Sequence, residues 1–279
     1  MADSWFPGIS PSRADPADID VSVAHPARIY DYVLGGKDNF AADRDAAQAA
    51  MAANPHLATA MRENRALMRR VVAVLARELG VRQFLDIGTG LPTSPNVHEV
   101  AQEIASEARV VYVDNDPIVL AHARALLIGT EQGATAYIEA DLRDPDKILG
   151  DPRLQQTLDL SQPVALMLFG ILHFIPDQAE PHRLVGRLLA ALPAGSYLAL
   201  QQPTTDFYQP GTTGTAKAYG RAGIPFQYRT RDEFARFFTG LELVPPGIGL
   251  MTEWRAEGEP QPRPAASDVG AYAAVGRKT

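Results

Sequence analysis

The segment Phe84-Leu85-Asp86-Ile87-Gly88-Thr89-Gly90-Leu91-Pro92-Thr93 joins a short apolar run to two glycines that a single residue separates. The apolar run is typical of a buried strand, and a helical pattern begins a few residues after Pro92. Glycine is needed where the backbone turns sharply or comes close to a ligand. The segment therefore predicts a strand, a turn that contacts a ligand, and a helix, in that order.

The turn also carries information about the charge of its ligand. A dinucleotide-binding turn has a third glycine, and the corresponding residue here is Thr93. Asp86 lies two residues before the first glycine, where its carboxylate would repel a pyrophosphate. The same carboxylate would attract the ammonium and sulfonium groups of S-adenosylmethionine, which has no phosphate. The pattern thus favours S-adenosylmethionine over NAD, with an ordinary tight turn as the alternative.

Strand and helix patterns alternate outward from this turn. Five short apolar runs are bounded by Gly, Pro or Asp, namely QFLDIG, RVVYVDN, TAYIEAD, PVALMLFG and GSYLALQQP. Amphipathic segments between or after them, such as NVHEVAQEIASEA and EPHRLVGRLLAAL, predict helices. This alternation predicts an α/β fold with a parallel sheet covered by helices on both faces. The tail differs, because LELVPPGIGLMTEW and GAYAAVGRKT are joined by a short Pro-rich connection that suits an antiparallel pair.

The chain divides into an irregular leader (residues 1–25), an N-terminal helical cap (residues 26–80) and a ligand-binding core (residues 81–279). Within the cap, residues 26–65 are too few for an independent hydrophobic core without a metal or a disulfide. We therefore expect them to pack on the core as a lid over the ligand. A dimerisation arm that never approaches the site is the alternative.

Acidic residues follow the second and third predicted strands. Asp114 ends the second strand, where nucleoside-binding folds accept hydrogen bonds from ribose hydroxyls, and we expect it at an exposed strand end. Asp116 is its rival, although it precedes Pro117 and suits a helix cap, and a simple turn residue is the other alternative. After the third strand, the Asp141 carboxylate would accept from an adenine amino group while the Leu142 backbone N–H donates to a ring nitrogen.

The composition excludes several classes of protein. The 279 residues contain no cysteine, and the six histidines lack the H-E-x-x-H spacing, so we expect no disulfide and no metal site. A net charge of −7 without any Lys/Arg block disfavours nucleic acid as a partner. The first residues lack the basic and apolar regions of a secretory signal, and no apolar run reaches the ~20 residues of a transmembrane helix. These features predict a cytoplasmic protein with no membrane partner.

At this point the chain resembles known families. The series DIGTG, VDND, EADLRDP and LFGILHFIPD is similar to that of class I methyltransferases. Together with PARIYDYVLGGKDNFAADR, ENRALMRR, FLDIGTGLPT and AAVGRK, it resembles the S-adenosyl methyltransferase family formerly catalogued as domain of unknown function 574, from about Pro26 to Lys278. The resemblance implies a Rossmann-like sheet of seven strands with the last strand antiparallel, and S-adenosylmethionine as cofactor. It does not imply a particular acceptor.

Two groups of candidate site residues follow from the motifs and their positions. The candidates for cofactor binding are Asp86, Gly88, Thr89, Gly90, Asp114, Asn115, Asp141, Leu142, Phe169, Gly170 and Arg65, the last as a partner of the cofactor's carboxylate. The candidates for acceptor binding are Tyr30, Lys37, Asn39 and Phe40, with Asn64, Phe207, Tyr208 and Tyr219 as further polar or aromatic groups near helix breaks. For Tyr30 and Phe40, the alternative is that they only hold helices together.

His173 is the obvious candidate for a general base, but its environment favours a structural role. The stretch FGILHFIPD resembles the KHILHDW segment of small-molecule O-methyltransferases, in which the earlier histidine is catalytic. Gly170 occupies that earlier position here, and His173 matches the later one. A histidine in an apolar run is commonly a hydrogen-bonded core residue. Transfer from a sulfonium needs a base only when the acceptor is a poor nucleophile.

These observations lead to one main hypothesis and two alternatives. The main hypothesis is an S-adenosylmethionine-dependent methyltransferase that acts on a small-molecule acceptor. The first alternative is a non-catalytic protein that binds S-adenosylmethionine for regulation, because the binding motifs are intact without a visible base. The second is an NAD(P)-dependent oxidoreductase, which Asp86 and the missing third glycine disfavour.

Overall fold

The computed structural model describes residues 20–126, 129–208 and 213–279, with no side-chain description for residues 123–128. Most of the predicted leader lies outside these ranges, and residues 20–25 of it form neither helix nor strand. The strands are β1 (Gln83–Ile87), β2 (Arg109–Asp114), β3 (Ala134–Glu139), β4 (Ala165–Leu168), β5 (Tyr197–Pro203), β6 (Leu241–Leu243), β7 (Gly249–Leu250) and β8 (Ala271–Lys278). In the described ranges, no helix is long and apolar enough to cross a membrane.

The strands form one sheet in the order β3-β2-β1-β4-β5-β8-β6. Strands β1 to β5 pair in parallel, whereas β8 pairs antiparallel with β5 and with β6. The predicted parallel sheet and the predicted antiparallel last strand are both confirmed. The two-residue strand β7 also pairs with β8 and adds an eighth strand to the seven expected. The predicted run LELVPPGIGLMTEW is thus interrupted, because Pro245 and Pro246 cannot donate hydrogen bonds to a ladder.

Ten α-helices surround the sheet in the described residues. They are α1 (Pro26–Val33), α2 (Ala41–Ala53), α3 (Leu57–Ala73), α4 (Val97–Ile104), α5 (Pro117–Leu126), α6 (Pro145–Gly150), α7 (Pro152–Thr157), α8 (Pro181–Ala190), α9 (Gly214–Arg221) and α10 (Arg231–Ala235). A π-helical turn, Val74–Glu78, continues α3. The short helices α6 and α7 each begin at a proline after an aspartate whose carboxylate accepts a backbone N–H (Asp144 and Asp151), and the cap at Asp144 is the one that its position before Pro145 predicts.

Hydrophobic clusters lie on both faces of the sheet. Alternate residues of a strand point to opposite faces, and accordingly Phe84 belongs to one cluster while Leu85 belongs to the other. The second half of α3 packs in the first of these clusters through residues such as Leu67.

A third cluster joins the N-terminal helices to a distant part of the chain. Ile29 of α1, Ala47 of α2 and Met61 of α3 pack with Tyr219 of α9 and Ile224. The helices α1 to α3 are therefore packed on the remainder of the molecule, as expected for residues that lack a core of their own.

Candidate functional site

A cavity of about 440 Å³ lies at the carboxyl ends of the parallel strands. Its walls include residues that end or directly follow β1, β2, β3, β4 and β5, and this is the edge at which open α/β sheets bind ligands. Residues of α1, α3 and α9 close the opposite side. All eleven candidates for cofactor binding line this cavity.

The glycine turn after β1 is built around two glycines with different roles. Both have positive φ, +75° at Gly88 and +67° at Gly90, which favours glycine. The Gly88 backbone N–H donates to the Val113 carbonyl of β2 at 2.8 Å. A Cβ at Gly88 would lie 2.4 Å from Ile171 Cδ1, whereas a Cβ at Gly90 would meet nothing within 4 Å. Gly88 is thus required by packing, and Gly90 leaves open space beside the cavity.

Asp86 places a buried carboxylate at the base of this turn. Asp86 is 8 % exposed, and Thr89 Oγ1 donates to Asp86 Oδ2 at 3.0 Å. Burial raises the pKa of Asp86 to about 6, although the Thr89 hydrogen bond and the charge of Arg65 oppose this rise. A carboxylate in this state gains stabilisation from a cationic ligand.

Asp114 is also buried and holds two backbone groups. Its Oδ2 accepts the Gly90 N–H at 2.8 Å, and its Oδ1 accepts the Asp116 N–H at 3.0 Å. Burial raises the pKa of Asp114, while these two hydrogen bonds lower it. The expectation of an exposed strand end is wrong, because the residue is 8 % exposed and ties the end of β2 to the glycine turn.

Asp116 has the capping role that its position before Pro117 predicts. Its Oδ1 accepts the Ile118 N–H at the start of α5, and its other oxygen lies 3.1 Å from His25 Nδ1. Asp116 is not among the residues that line the cavity, whereas Asp114 is. Of the two candidates for a ribose ligand, only Asp114 therefore has access to the cavity.

The carboxylate of Asp141 is shared between two neighbours. Arg143 donates to both of its oxygens, at 2.8 and 2.6 Å, and Asn115 Nδ2 donates to Oδ2 at 2.8 Å. Burial would raise the pKa of Asp141, but the hydrogen bonds and charge of Arg143 lower it. The Arg143 side chain is 61 % exposed, and a contact of Asp141 with adenine remains a prediction.

The N-terminal segment reaches this region through His25, which sequence reasoning missed. His25 Nε2 lies 3.2 Å from Asn115 Oδ1, and His25 lines the cavity. Burial on its own would lower the pKa of His25, but the hydrogen bond and charge of Asp116 raise it. The available signal was the position of His25 directly before Pro26, at the N-cap of α1. The neutral ring can accept the Ala27 N–H at Nδ1, whereas the protonated ring can donate from the same atom to Asp116.

Arg65 projects from α3 toward the loop that follows the glycine turn. Its guanidinium donates to the carbonyl of Thr93 and, at 2.6 Å, to that of Pro95. The residue lines the cavity, so pairing with a cofactor carboxylate remains a prediction.

The candidates for acceptor binding separate into two groups. Tyr30, Asn64, Tyr208 and Tyr219 line the cavity, whereas Lys37, Asn39, Phe40 and Phe207 do not. Lys37 is exposed, and Asn39 Nδ2 donates to Asp31 Oδ2 at 2.9 Å. Phe40 packs under the Arg28 guanidinium, whose carbon is 5.5 Å from the ring centre. The alternative role of holding helices together therefore suits Phe40, while Tyr30 has access to the cavity.

His173 lines the cavity and is buried, but it lacks the expected hydrogen bond. Its Nδ1 has no partner within the part of the chain that the structure describes. Its ring centre lies 3.9 Å from that of Phe174 and 4.6 Å from that of Phe226. Burial and the charge of Arg229 lower the pKa of His173 to about 3, so the imidazole is neutral at pH 7. The aromatic neighbour Phe226 was not predicted, because it lies in an irregular segment without periodicity.

The fold and the site together define the class of protein to which this chain belongs. The antiparallel β8 inserted beside β5, the glycine turn after β1 and the buried acid at the end of β2 are the features of a class I methyltransferase. A family model described as S-adenosyl methyltransferase matches residues 12–279, and the chain belongs to this family. Methyl transfer is thus its class of activity, and S-adenosylmethionine is its cofactor.

Solved structures agree with this assignment. A domain-of-unknown-function 574 protein from Streptomyces avermitilis is 49 % identical, with a TM-score of 0.87, over 93 % of this chain and 99 % of that one. A candidate methyltransferase from Thermobifida fusca is 41 % identical, with a TM-score of 0.85, over 96 % of this chain and all of that one (100 %). An O-methyltransferase family protein from Burkholderia thailandensis shares the fold alone, at 15 % identity and a TM-score of 0.52, over 80 % of this chain and 58 % of that one. No curated protein matches the chain.

Proposed function

We propose that this methyltransferase acts on a small-molecule acceptor, which binds beside the cofactor in the same cavity. The observation that carries the proposal is the continuity of the cavity, whose lining runs from the glycine turn to a group of residues under the N-terminal helices. We call this second group the acceptor pocket, and define it by Met61, Asn64, His173, Phe174, Tyr219 and Phe226. Pockets of this size and largely apolar lining are typical of small-molecule sites.

The residues at the glycine turn fit S-adenosylmethionine. Open space at Gly90 lets a ligand approach the backbone, and the buried carboxylates of Asp86 and Asp114 face the cavity. We assign Asp86 to the cationic end of the cofactor and Asp114 to the ribose hydroxyls. At the far end, Asp141 and the Leu142 backbone are assigned to adenine. A pyrophosphate beside two buried carboxylates would be repelled, which argues against a nicotinamide dinucleotide.

When bound, the cofactor would supply a methyl group on a positively charged sulfur for transfer to the acceptor. The chain's own contribution is alignment of the acceptor and exclusion of water. Tyr30 on α1 and Asn64 on α3 close the cavity on the side facing the helices. His173 is neutral and poorly basic, so we assign it no proton transfer.

A turnover assay tests the proposal. The full chain is incubated with S-adenosylmethionine and a panel of small acceptors, and release of S-adenosylhomocysteine is measured. Calorimetry with S-adenosylmethionine and with NADH is run in parallel. Release with at least one acceptor supports the proposal, whereas tight cofactor binding without release across the panel favours the non-catalytic alternative. Binding of NADH without any response to S-adenosylmethionine would contradict the assignment.

A further inference from the structure

The acceptor pocket has aromatic walls. The ring centre of Phe174 lies 5.6 Å from that of Tyr219 and 5.8 Å from that of Phe226, with the second pair edge to face. Tyr219 and Phe226 are 5.2 Å apart. Rings at these separations form a surface on which another aromatic ring gains offset-stacked and edge-to-face contacts.

The six residues that define the acceptor pocket carry no formal charge at pH 7. His173 is neutral because burial lowers its pKa to about 3. The ionised residues that line the described cavity lie toward the cofactor, namely Arg65, Asp86, Asp114, Asp141 and Arg143, with His25 beside them. An anionic acceptor would therefore be desolvated here without a counter-charge.

A cationic acceptor is disfavoured for the same reason, because the residues of the acceptor pocket include no carboxylate. Arg229, buried behind the loop that carries His173, supplies no counter-charge to an anion either. Its guanidinium donates to the carbonyls of Leu172 and Ile175 at 2.9 and 2.8 Å and is paired with Asp177 Oδ1 at 2.9 Å. Its charge contributes only to the low pKa of His173, which keeps the imidazole neutral. A charged acceptor of either sign is thus disfavoured.

Asn64 leaves a buried hydrogen-bond acceptor without a partner. Its Oδ1 bonds to no group among the described residues, although it is shielded from solvent. The amide is oriented by Tyr30, because the Tyr30 hydroxyl donates to the Met61 carbonyl at 2.8 Å and can then accept from Asn64 Nδ2 at 3.4 Å. A Cβ at Gly170 would lie 3.4 Å from Asn64 Nδ2, so Asn64 stands at the junction between strand β4 and the acceptor pocket.

A buried acceptor without a partner is costly, and a ligand that donates to it recovers the loss once the Asn64 side chain rotates to turn Oδ1 into the cavity that the residue lines. We infer that the methyl acceptor is an uncharged aromatic compound whose O–H or N–H group donates to Asn64 Oδ1. This inference rests on the proposed function, because it specifies the compound that the acceptor pocket binds. The aromatic rings of the pocket select the shape of the acceptor compound, and the hydrogen bond to Asn64 sets the orientation of that compound.

Binding of four matched naphthalenes tests the inference. The probes are 2-naphthol, 2-methoxynaphthalene without the donor, 2-naphthoate as the anion and 2-naphthylmethylammonium as the cation. Calorimetry is run at pH 7.5 on the full chain, alone and saturated with S-adenosylhomocysteine so that no turnover occurs. We expect 2-naphthol to bind about tenfold more tightly than its methyl ether, and more tightly than either charged probe. Failure of S-adenosylhomocysteine to bind would contradict the proposed function. In that case the four affinities measured on the free protein still decide whether the pocket prefers an uncharged aromatic donor.

Two substitutions of Asn64 test whether its side chain causes the preference for 2-naphthol over 2-methoxynaphthalene. Asn64→Leu keeps the approximate size and removes the acceptor, so the advantage of 2-naphthol over its ether should disappear. Asn64→Asp places an anion in the pocket, and the preference should move toward the ammonium probe, which provides a second test if Asn64→Leu does not fold. Lys147→Ala, at an exposed residue outside the cavity, is the control and should leave all four affinities unchanged.

Several results would overturn the inference. They are equal or tighter binding of a charged probe by the native chain, an advantage of 2-naphthol that survives in Asn64→Leu, and no binding of either neutral probe.

Discussion

Asp114 Oδ2 accepts the backbone N–H of Gly90 at 2.8 Å, and this hydrogen bond joins the end of β2 to the turn after β1. The residue assigned to the ribose therefore also holds the backbone that the cofactor approaches. Stability and cofactor binding are linked at this residue, and the substitutions that test its role must separate the two.

Asp114→Ala should weaken binding of S-adenosylmethionine by roughly 2–4 kcal/mol, since it removes charge-assisted hydrogen bonds to the ribose. It should also lower the free energy of unfolding by about 1–3 kcal/mol, because the Gly90 and Asp116 N–H groups lose a partner. Calorimetry and denaturant unfolding measure the two effects. Asp144→Ala is the matched control, because Asp144 caps α6 outside the cavity and should affect stability by only about 1 kcal/mol. Normal cofactor binding by Asp114→Ala would show that the ribose assignment is wrong.

Cofactor affinity should depend on pH through Asp86. The pKa of this carboxyl is raised to about 6 by burial, so in the free protein it is protonated below that pH and ionised above it. A cationic ligand binds the ionised form, and affinity for S-adenosylmethionine should fall by roughly tenfold between pH 7 and pH 5. The raised pKa of Asp114 acts in the same direction.

Asp86→Asn provides the control for this pH dependence. The variant should bind more weakly at pH 7 and should lose much of the decline below pH 6. It should also be more stable than the native chain at pH 7. The raised folded pKa makes ionised Asp86 unfavourable, and this cost appears as pH rises from the unfolded value of 3.8 through about 6. An unchanged pH profile in Asp86→Asn would assign the dependence to another group.

His173→Ala should affect stability more than chemistry. The substitution leaves a gap between Phe174 and Phe226 and should lower the free energy of unfolding by about 1–3 kcal/mol. Because the pKa of His173 is lowered to about 3, no inflection from this residue is expected in rate profiles between pH 6 and 8. Denaturant unfolding and a pH–rate profile with an identified acceptor measure both properties. Loss of turnover at an unchanged melting temperature would indicate a base, and base-assisted O-methylation would then be the better mechanism.

Hydrogen exchange should show the N-terminal segment closing over the cofactor. Residues 24–27 and Tyr30 line the cavity, whereas Lys37 to Phe40 lie outside it. Addition of S-adenosylmethionine should increase protection over residues 24–30 and at the glycine turn, while residues 36–40 stay unchanged. Within the predicted lid, residues 26–65, the stretch 36–40 is thus not expected to contact the cofactor. Protection confined to the glycine turn would support an arm that does not contact the ligand.

The contact between His25 and Asp116, which holds residues 24–30 in place, should be stronger at lower pH. His25 lies 3.1 Å from Asp116, and the pKa of His25 is raised above its usual 6.5. Its stabilising contribution is therefore complete below 6.5 and is lost as pH rises through the higher folded pKa. Exchange over residues 24–30 of the free protein should accordingly be faster at pH 8 than at pH 6 after correction for the intrinsic rate. His25→Ala should remove this difference.

Features encoded within a few neighbouring residues were predictable from the sequence. The strands β1 to β5 follow from apolar runs bounded by Gly, Pro or Asp, and the glycine turn follows from two glycines directly after one such run. Because parallel strands present their carboxyl ends at one edge, the positions of Asp86, Asp114 and Asp141 in the chain were sufficient to predict that they share a site.

Only the tertiary structure decided which of the remaining candidates reach the cavity. Lys37 and Tyr30 lie close together in the chain, yet Lys37 is exposed and Tyr30 lines the cavity, because packing with α2 and α3 sets the orientation of α1. The contact between His25 and Asn115 joins residues that are 90 positions apart. The unpartnered Asn64 Oδ1 is likewise a property of everything packed around it. Local patterns determine elements and turns through backbone sterics and burial, whereas the surroundings of a side chain depend on how distant elements pack.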